Sequence, residues 1–174
     1  MENISNFNKV SDYLPILNGC LIVDLLFMIL LYNNIIIKSK YLEKWYTKYQ
    51  LSAVIADVLI IFIGILLTRY FYHYLFDSFS LWKFIGLAVF IQIIHDILFY
   101  LFFSSVPRGY NAMIDFFKDY AKEVQFGAIT SDSCMIIIAC LLSSHFASYN
   151  LNTNLIILIV SVYLTPYLIN YSTF

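Results

Sequence analysis

Long apolar stretches separated by short polar ones run along almost the whole chain. An α-helix needs roughly 20 apolar residues to cross the hydrocarbon core of a bilayer, which is about 30 Å thick. The pattern predicts five membrane-spanning helices, and no linker or repeat of about 20–50 residues divides them. We therefore expect one transmembrane helical domain over residues 1–174, with spans at residues 13–37, 51–76, 81–103, 127–148 and 155–171.

Two of the polar stretches carry patterns of their own. The connector KSKYLEKWYTKYQ, after the first span, is rich in the Lys, Trp and Tyr that settle at headgroup depth, and it is interpreted as a membrane-interface loop. The segment at about residues 111–124 alternates between apolar and charged sides at helical spacing. It predicts an amphipathic helix lying at the interface, with Met113, Phe116, Phe117, Tyr120 and Val124 on its apolar side.

The composition supports the same class. Hydrophobic residues make up 61% of the chain, charged residues 12%, and the mean hydropathy is +0.80, whereas soluble domains have roughly 45–50% apolar and about 25% charged residues. The predicted fold is an all-α integral membrane bundle whose partner is the lipid bilayer. The net charge of -1 and the lack of a basic face argue against nucleic acid as a partner. The three cysteines, Cys20, Cys134 and Cys140, are odd in number and lie in apolar runs, so they are interpreted as packing residues.

Lysine and arginine concentrate on one side of the predicted bundle. The positive-inside rule places that side in the cytoplasm. The C-terminus is then cytoplasmic, and the N-terminus is luminal or outside. Arg69, near the end of the second span, is expected to snorkel outward. The cytoplasmic connectors carry Lys38, Lys40, Lys44, Lys48, Arg108, Lys118 and Lys122, and the opposite side carries Lys9, Arg69 and Lys83.

Four of the five predicted spans contain one aspartate each: Asp24, Asp57, Asp96 and Asp132. An aspartate at the centre of a membrane helix costs about 2.5–3.5 kcal/mol, and such residues nearly always face the bundle interior or a water-filled cavity. We therefore expect all four side chains to point inward, with Asp24 nearer the midplane than the others.

Three of these aspartates are predicted to meet. Asp57 and Asp132 lie about six residues after the cytoplasmic starts of their spans and Asp96 about seven before the cytoplasmic end of its own, roughly 10 Å inside that face. Gln92 and His95 share a helix face with Asp96 and can donate hydrogen bonds to carboxylates. The sequence thus predicts a buried cluster of Asp57, Gln92, His95, Asp96 and Asp132.

The chemistry of such a cluster stays open between three hypotheses. No lysine or arginine is expected at its level, so the carboxyl groups bind protons or a cation, and a divalent cation is a candidate cofactor. The groups could act as interhelical hydrogen-bond glue, as a proton or divalent-cation pathway, or as the site of a lipid-modifying enzyme beside a head-group-sized cavity. No known catalytic motif is present, so no catalytic residue is predicted. Arg108, in VPRGYN, is a candidate lipid-phosphate contact, and a positive-inside anchor is the simpler interpretation.

Several sequence pieces also carry a resemblance. They are the Ala56-Asp57 pair, Gln92 with His95-Asp96, Pro107-Arg108, the run Phe117-Lys118-Asp119-Tyr120, and the polar start of the fourth span around Asp132. Over about residues 41–170 the chain resembles a family of small multi-span membrane proteins, of unassigned activity, encoded by large nucleocytoplasmic DNA viruses and related algal viruses. The resemblance implies a viral protein in a viral or host internal membrane, and it implies no mechanism.

These observations together favour a structural or assembly component of such a membrane, with transport through the cluster as the alternative and a lipid-modifying enzyme as the less favoured one. Homo-oligomerisation and association with other membrane proteins both stay open.

Overall fold

The described part of the chain folds into a bundle of seven α-helices. The computed structural model describes residues 1–33, 35 and 39–171, and it contains no strand in those ranges. Within these ranges, five helices are long and apolar enough to cross a membrane: α1 (with the short 3-10 turn Val10–Asp12 before it), α3, α4, α6 and α7. The predicted all-α bundle with five spans is therefore confirmed. The helices are α1 Tyr13–Tyr32, α2 Lys40–Tyr49, α3 Leu51–Leu75, α4 Leu81–Ser105, α5 Ala112–Val124, α6 Gly127–Phe146 and α7 Leu151–Ile169.

The first connector differs from its prediction. Helix α1 ends at Tyr32 instead of residue 37, and residues 34, 36 and 37 of the predicted span lie outside the described part of the chain. The segment interpreted as an interface loop forms α2. Ser39 caps it by accepting a hydrogen bond from the backbone N–H of Leu42, and Trp45 and Tyr46 on its inner face are buried. Composition alone indicated headgroup depth and concealed this helical spacing of the large apolar side chains.

Helix α5 is observed close to its predicted bounds of 111–124. Asn111 caps it, because its side-chain oxygen accepts hydrogen bonds from the backbone N–H groups of Met113 and Ile114. Phe116 is buried on its apolar side, and α5 packs against α2 as well as against α4 and α6. Both short amphipathic helices thus lie at the same end of the bundle.

Helix α1 is the central element, since it packs most extensively against α6 and also against α3 and α7. Gly19 allows α1 to pack closely against α6, because a Cβ at this position would lie 2.5 Å from the Ser143 hydroxyl and 2.9 Å from the Ala139 carbonyl. On the neighbouring side, the Asn18 amide donates to the Asn154 side-chain oxygen at 3.1 Å and joins α1 to α7. Small residues and interhelical hydrogen bonds of this kind hold helices together where lipid supplies little hydrophobic drive.

The outer faces of the spans are apolar. Exposed large hydrophobic side chains recur along α3, α4 and α7, where a water-soluble protein would carry charge. This surface is suited to contact with a lipid bilayer, and the protein is a multi-pass integral membrane protein.

Arg69 corrects another expectation. It was predicted to snorkel outward, but its side chain is fully buried. The N-terminal segment covers this end of the bundle, so that the guanidinium donates to the backbone carbonyls of Asn6 and Lys9, lies 3.5 Å from an Asp12 carboxylate oxygen, and stacks over the Tyr13 ring. The prediction was wrong because the residues of the span alone do not indicate that backbone carbonyls of the N-terminal segment accept hydrogen bonds from Arg69.

The first six helices form two similar halves. The first half, α1 to α3, and the second half, α4 to α6, each consist of a span, a short amphipathic helix and a second span. Contacts follow the same symmetry, because α1 packs on α3 as α4 packs on α6, and α1 packs on α6 as α3 packs on α4. Residues 50–74 and 125–149 align without a gap, 75 positions apart, with nine identical pairs that include Gln50 with Gln125 and Asp57 with Asp132.

Local geometry repeats along with the sequence. Gln50 and Gln125 join each amphipathic helix to the following span with positive φ angles of 47° and 50°, a conformation that costs a residue other than glycine about 1–3 kcal/mol. Thr68 donates to the carbonyl four residues before it at 2.8 Å, and its counterpart Ser143 does the same at 2.6 Å.

The first spans of the two halves correspond as well, after a small change of register. The motif Ile-x-Asp-x-Leu-Phe occurs in both, and it aligns Asp24 of α1 with Asp96 of α4 in the sequence. Each half therefore contributes one aspartate from each of its spans. The repeat escaped the sequence analysis because its period is longer than the periods considered.

The close contact at Gly19 generates the first prediction. Gly19→Ala should destabilise the protein by about 1–3 kcal/mol, because the Ala139 carbonyl belongs to the backbone and cannot move aside without separating α1 from α6. Gly86→Ala is the matched control, since a Cβ there meets nothing within 4 Å. Thermal unfolding in one detergent measures both variants, and equal stability of the two would contradict the close packing of α1 on α6.

Candidate functional site

A cavity of about 830 Å³ lies between the two halves, at the end of the bundle that carries α2 and α5. Its wall draws side chains from all of α1 to α6 and is mainly apolar and aromatic. The structure brings all five residues of the predicted cluster to this one wall: Asp57, Gln92, His95, Asp96 and Asp132.

Asp96 is held from within its own helix. Gln92, which is 4% exposed, donates its side-chain N–H to Asp96 Oδ1 at 2.7 Å, and His95 Nδ1 lies 3.2 Å from the same oxygen. The second oxygen, Oδ2, is buried and has no hydrogen-bond partner among the described residues. Asp96 is thus oriented firmly while half of its accepting capacity stays unused.

Asp57 and Asp24 receive hydrogen bonds from α2. The Trp45 indole N–H donates to Asp57 Oδ2 at 2.8 Å, and the Tyr46 hydroxyl donates to Asp24 Oδ1 at 3.0 Å. Asp24 is fully buried and does not form part of the cavity wall. Sequence reasoning missed Trp45 and Tyr46 as partners, and the signal that could have found them is the helical spacing of aromatic residues in α2.

Asp132 lies in the cavity wall without such support. No side-chain hydrogen bond within residues 1–33, 35 and 39–171 involves it. In α5, Tyr120 occupies the position that corresponds to Trp45 of α2. Burial, together with the nearby charge of Asp132, raises the pKa of the Tyr120 hydroxyl. Each aspartate of the first half therefore receives a hydrogen bond from α2, whereas among the described residues neither aspartate of the second half receives one from α5.

Helices α2 and α5 cover the cavity as an aromatic layer. The Trp45 ring stacks on Phe116 with centroids 5.4 Å apart, lies 4.9 Å from Phe117, and Tyr41 meets Phe116 edge-on at 5.7 Å. Aromatic pairs at such distances add about 0.5–1.5 kcal/mol each beyond their buried area. The layer is thus a packed element of the structure.

Glu123 of α5 fixes the start of α2. Its carboxylate accepts hydrogen bonds from the Lys40 backbone N–H at 3.1 Å, the Tyr41 backbone N–H at 3.2 Å and the Ser39 hydroxyl at 3.1 Å. Desolvation acts to raise the pKa of Glu123, but these hydrogen bonds outweigh it and hold the pKa below its ordinary value. A carboxylate from one half therefore caps a helix of the other.

Arg108 lies apart from the cavity. It is exposed in the connector between α4 and α5, and its Nη2 lies 2.6 Å from Asp119 Oδ1. The ion pair leaves the lipid-phosphate contact an open prediction. A divalent cation finds no prepared ligand set, because within the described residues no three His, Cys, Asp or Glu side chains are grouped so that they could hold a metal ion.

Comparisons with protein-family models, with curated proteins and with solved structures give no match to this chain. The chemistry of the cavity is therefore argued from its own residues.

The cap that Glu123 forms predicts a pH-dependent contact between α2 and α5. Because the pKa of Glu123 lies below its ordinary value of 4.5, its stabilising effect is present above that value and is lost as the pH falls through the lowered pKa. In a Trp82→Phe background, where Trp45 is the one remaining tryptophan, we expect the emission of Trp45 to shift to longer wavelength on acidification below about pH 4.5.

Glu123→Gln should show the shifted emission at neutral pH and lose the change that the cap causes on acidification. Glu43→Gln, at an exposed position of α2, is the control and should titrate like the parent protein. If Glu123→Gln also titrated like the parent, the cap would have no role in holding the two helices together.

Proposed function

We propose that this membrane protein binds a single-chain amphiphile in the cavity between its two halves. The observation that carries the proposal is the cavity itself, because about 830 Å³ falls within the roughly 300–1,000 Å³ of small-molecule sites. A bundle whose polar residues served packing alone would be expected to close around them, since protein interiors are packed to crystal-like density.

The chemistry of the wall is divided as an amphiphile requires. Polar groups come from α3, α4 and the start of α6, including Gln92 and Ser131 together with the three aspartates. Large apolar side chains such as Ile97, Phe103 and Phe117 make up much of the remainder. A polar head can meet the first set while its hydrocarbon chain follows the second, and the buried unpaired oxygen of Asp96 gives the head a hydrogen-bond acceptor.

A structural or assembly role in a viral or host internal membrane is the second candidate. It is favoured by the hydrogen bonds from Tyr46 to Asp24 and from Trp45 to Asp57, which show that two of the four aspartates already serve helix packing. The resemblance to viral membrane proteins supports this location.

Quenching of Trp45 measures occupancy of the cavity, because this residue is part of the wall. In the Trp82→Phe background, brominated C16 chains carrying an amine, an alcohol or a sulfate head are added to the protein in detergent micelles. We expect saturable quenching by at least one of the three, and competition by the unbrominated compound.

Ser131→Phe should fill the cavity and weaken that binding by at least about tenfold, which corresponds to 1.4 kcal/mol. Thr130→Phe, at the neighbouring exposed position of α6, is the matched control and should bind like the parent. Quenching that does not saturate with any head group, or that is equal in the two phenylalanine variants, would refute binding in the cavity.

We also propose that α2 and α5 face the cytoplasm, with the N-terminus luminal or outside. The end of the bundle with α2 and α5 carries Lys40, Lys44, Lys48, Arg108, Lys118 and Lys122. At the other end Arg69 is buried, and among the described lysines and arginines only Lys9 and Lys83 are exposed there, which strengthens the charge asymmetry.

Cysteine accessibility tests this orientation. In a background without Cys134, the exposed cysteine, Asp77→Cys in the connector between α3 and α4 should react with a membrane-impermeant maleimide on intact cells or sealed vesicles with the luminal face outward. Thr47→Cys, on the exposed face of α2, should react only after permeabilisation. The opposite pattern would reverse the topology.

A further inference from the structure

We infer that the cavity selects an amphiphile with an amine head group, over alcohols and above all over phosphate or sulfate heads. This inference rests on the proposed function and names the class of ligand that it left open. Two independent features support it: the comparison of the two halves, and the charge of the cavity wall.

The first half serves as an internal reference for how the acids are satisfied. There, α2 supplies a donor to each aspartate, the Tyr46 hydroxyl to Asp24 and the Trp45 indole N–H to Asp57. Both donors are polar tips on large apolar bodies, and they fill the space beside the carboxylates.

The second half lacks this filling. In the alignment that pairs Asp57 with Asp132, the position of Tyr46 is occupied by Ala121 and that of Trp45 by Tyr120. Ala121 has no donor and leaves the volume of a phenol ring empty, and it lies in the cavity wall. The cavity is thus the place where the second half omits a side chain that the first half provides. A ligand with a donor head on an apolar body would replace what Tyr46 supplies.

The second half has gained acceptors and orienting groups at the same place. The residues of α1 that correspond to Gln92 and His95 are Cys20 and Val23, which are apolar packing residues. Gln92 and His95 both lie within hydrogen-bond distance of Asp96 Oδ1 and orient this carboxyl group, while Asp96 Oδ2, like Asp24 Oδ2 in the first half, is buried without a partner among the described residues. The replacement of two packing residues by two polar side chains that orient the carboxyl group favours binding over packing.

The charge of the wall decides between head groups. It contains three aspartates, and among the described residues no lysine or arginine contributes to it. An ammonium group compensates carboxylates in a poorly hydrated site and also gains from the faces of neighbouring aromatic rings such as Trp45 and Tyr120. A phosphate or sulfate would be repelled by the same carboxylates, and an alcohol would supply a donor without compensating charge.

The head-group series of brominated C16 chains tests the inference in the Trp82→Phe protein. We expect the amine to bind at least about tenfold more tightly than the alcohol, and the sulfate to bind most weakly. Asp132→Asn keeps the shape of the wall and removes a carboxylate, so it should weaken binding of the amine while leaving that of the alcohol unchanged.

Ala121→Tyr would restore the side chain of the first half and should abolish binding of the amine by occupying the space of the ligand. Ala112→Tyr, on the exposed side of α5 and outside the cavity wall, is the matched control and should bind like the parent. The head-group series and Asp132→Asn keep the inference falsifiable if Ala121→Tyr fails to fold.

The failure of this inference is distinguishable from that of the proposed function. Saturable binding of all three head groups with equal affinity would overturn amine selection and leave amphiphile binding intact. Tighter binding of the sulfate would overturn it in the same way, as would an amine affinity unchanged by Asp132→Asn. Absence of saturable quenching by all three compounds would overturn both proposals.

Discussion

The constraint on which this structure depends is that each carboxyl group inside a membrane bundle must find a donor or a counter-charge. An uncompensated aspartate at the centre of a membrane helix costs about 2.5–3.5 kcal/mol, and this chain carries four in its spans. In the first half this cost is offset by hydrogen bonds from α2, whose Trp45 and Tyr46 side chains donate to Asp57 and Asp24. The short amphipathic helices are thus tied to the transmembrane bundle by polar contacts as well as by apolar packing.

Because the two halves repeat the same arrangement, the way each one satisfies its aspartates can be compared within one molecule. Two halves with the same helix order and contacts place their aspartates at equivalent positions, but among the described residues only the first half supplies donors from its amphipathic helix to both. Tyr46 and Ala121 both line the cavity, and we infer that the smaller side chain of Ala121 leaves space that a tyrosine would occupy. The same helix arrangement can therefore form one half whose aspartates are bonded by its amphipathic helix and another half that leaves space for a ligand.

The sequence predicted the spans well, because apolar length is a direct consequence of bilayer thickness. The five candidate site residues could also be placed on one wall, since charge in a span points inward and helical rise fixes depth. What the sequence did not predict depends on contacts between distant segments. Tyr46 reaches Asp24 only after α2 folds back beneath the spans, and Arg69 is buried only because the N-terminal segment brings carbonyls over it.

The two ends of the bundle show opposite solutions to the same electrostatic problem. At the N-terminal end the buried cation Arg69 directs its Nη2 group at the backbone carbonyls of Asn6 and Lys9 and at the Asp12 carboxylate, so that its positive charge is partnered within the chain. At the other end the cavity wall contains three aspartates, none of the described residues that line it is lysine or arginine, and there the helices leave space. Since buried charge is stable only when it is paired, Arg69 draws its counter-charge from this chain, whereas the open end is completed by protons or by a cation from outside the chain. An amphiphile with a cationic head satisfies the charge and the volume at once, which a proton alone does not.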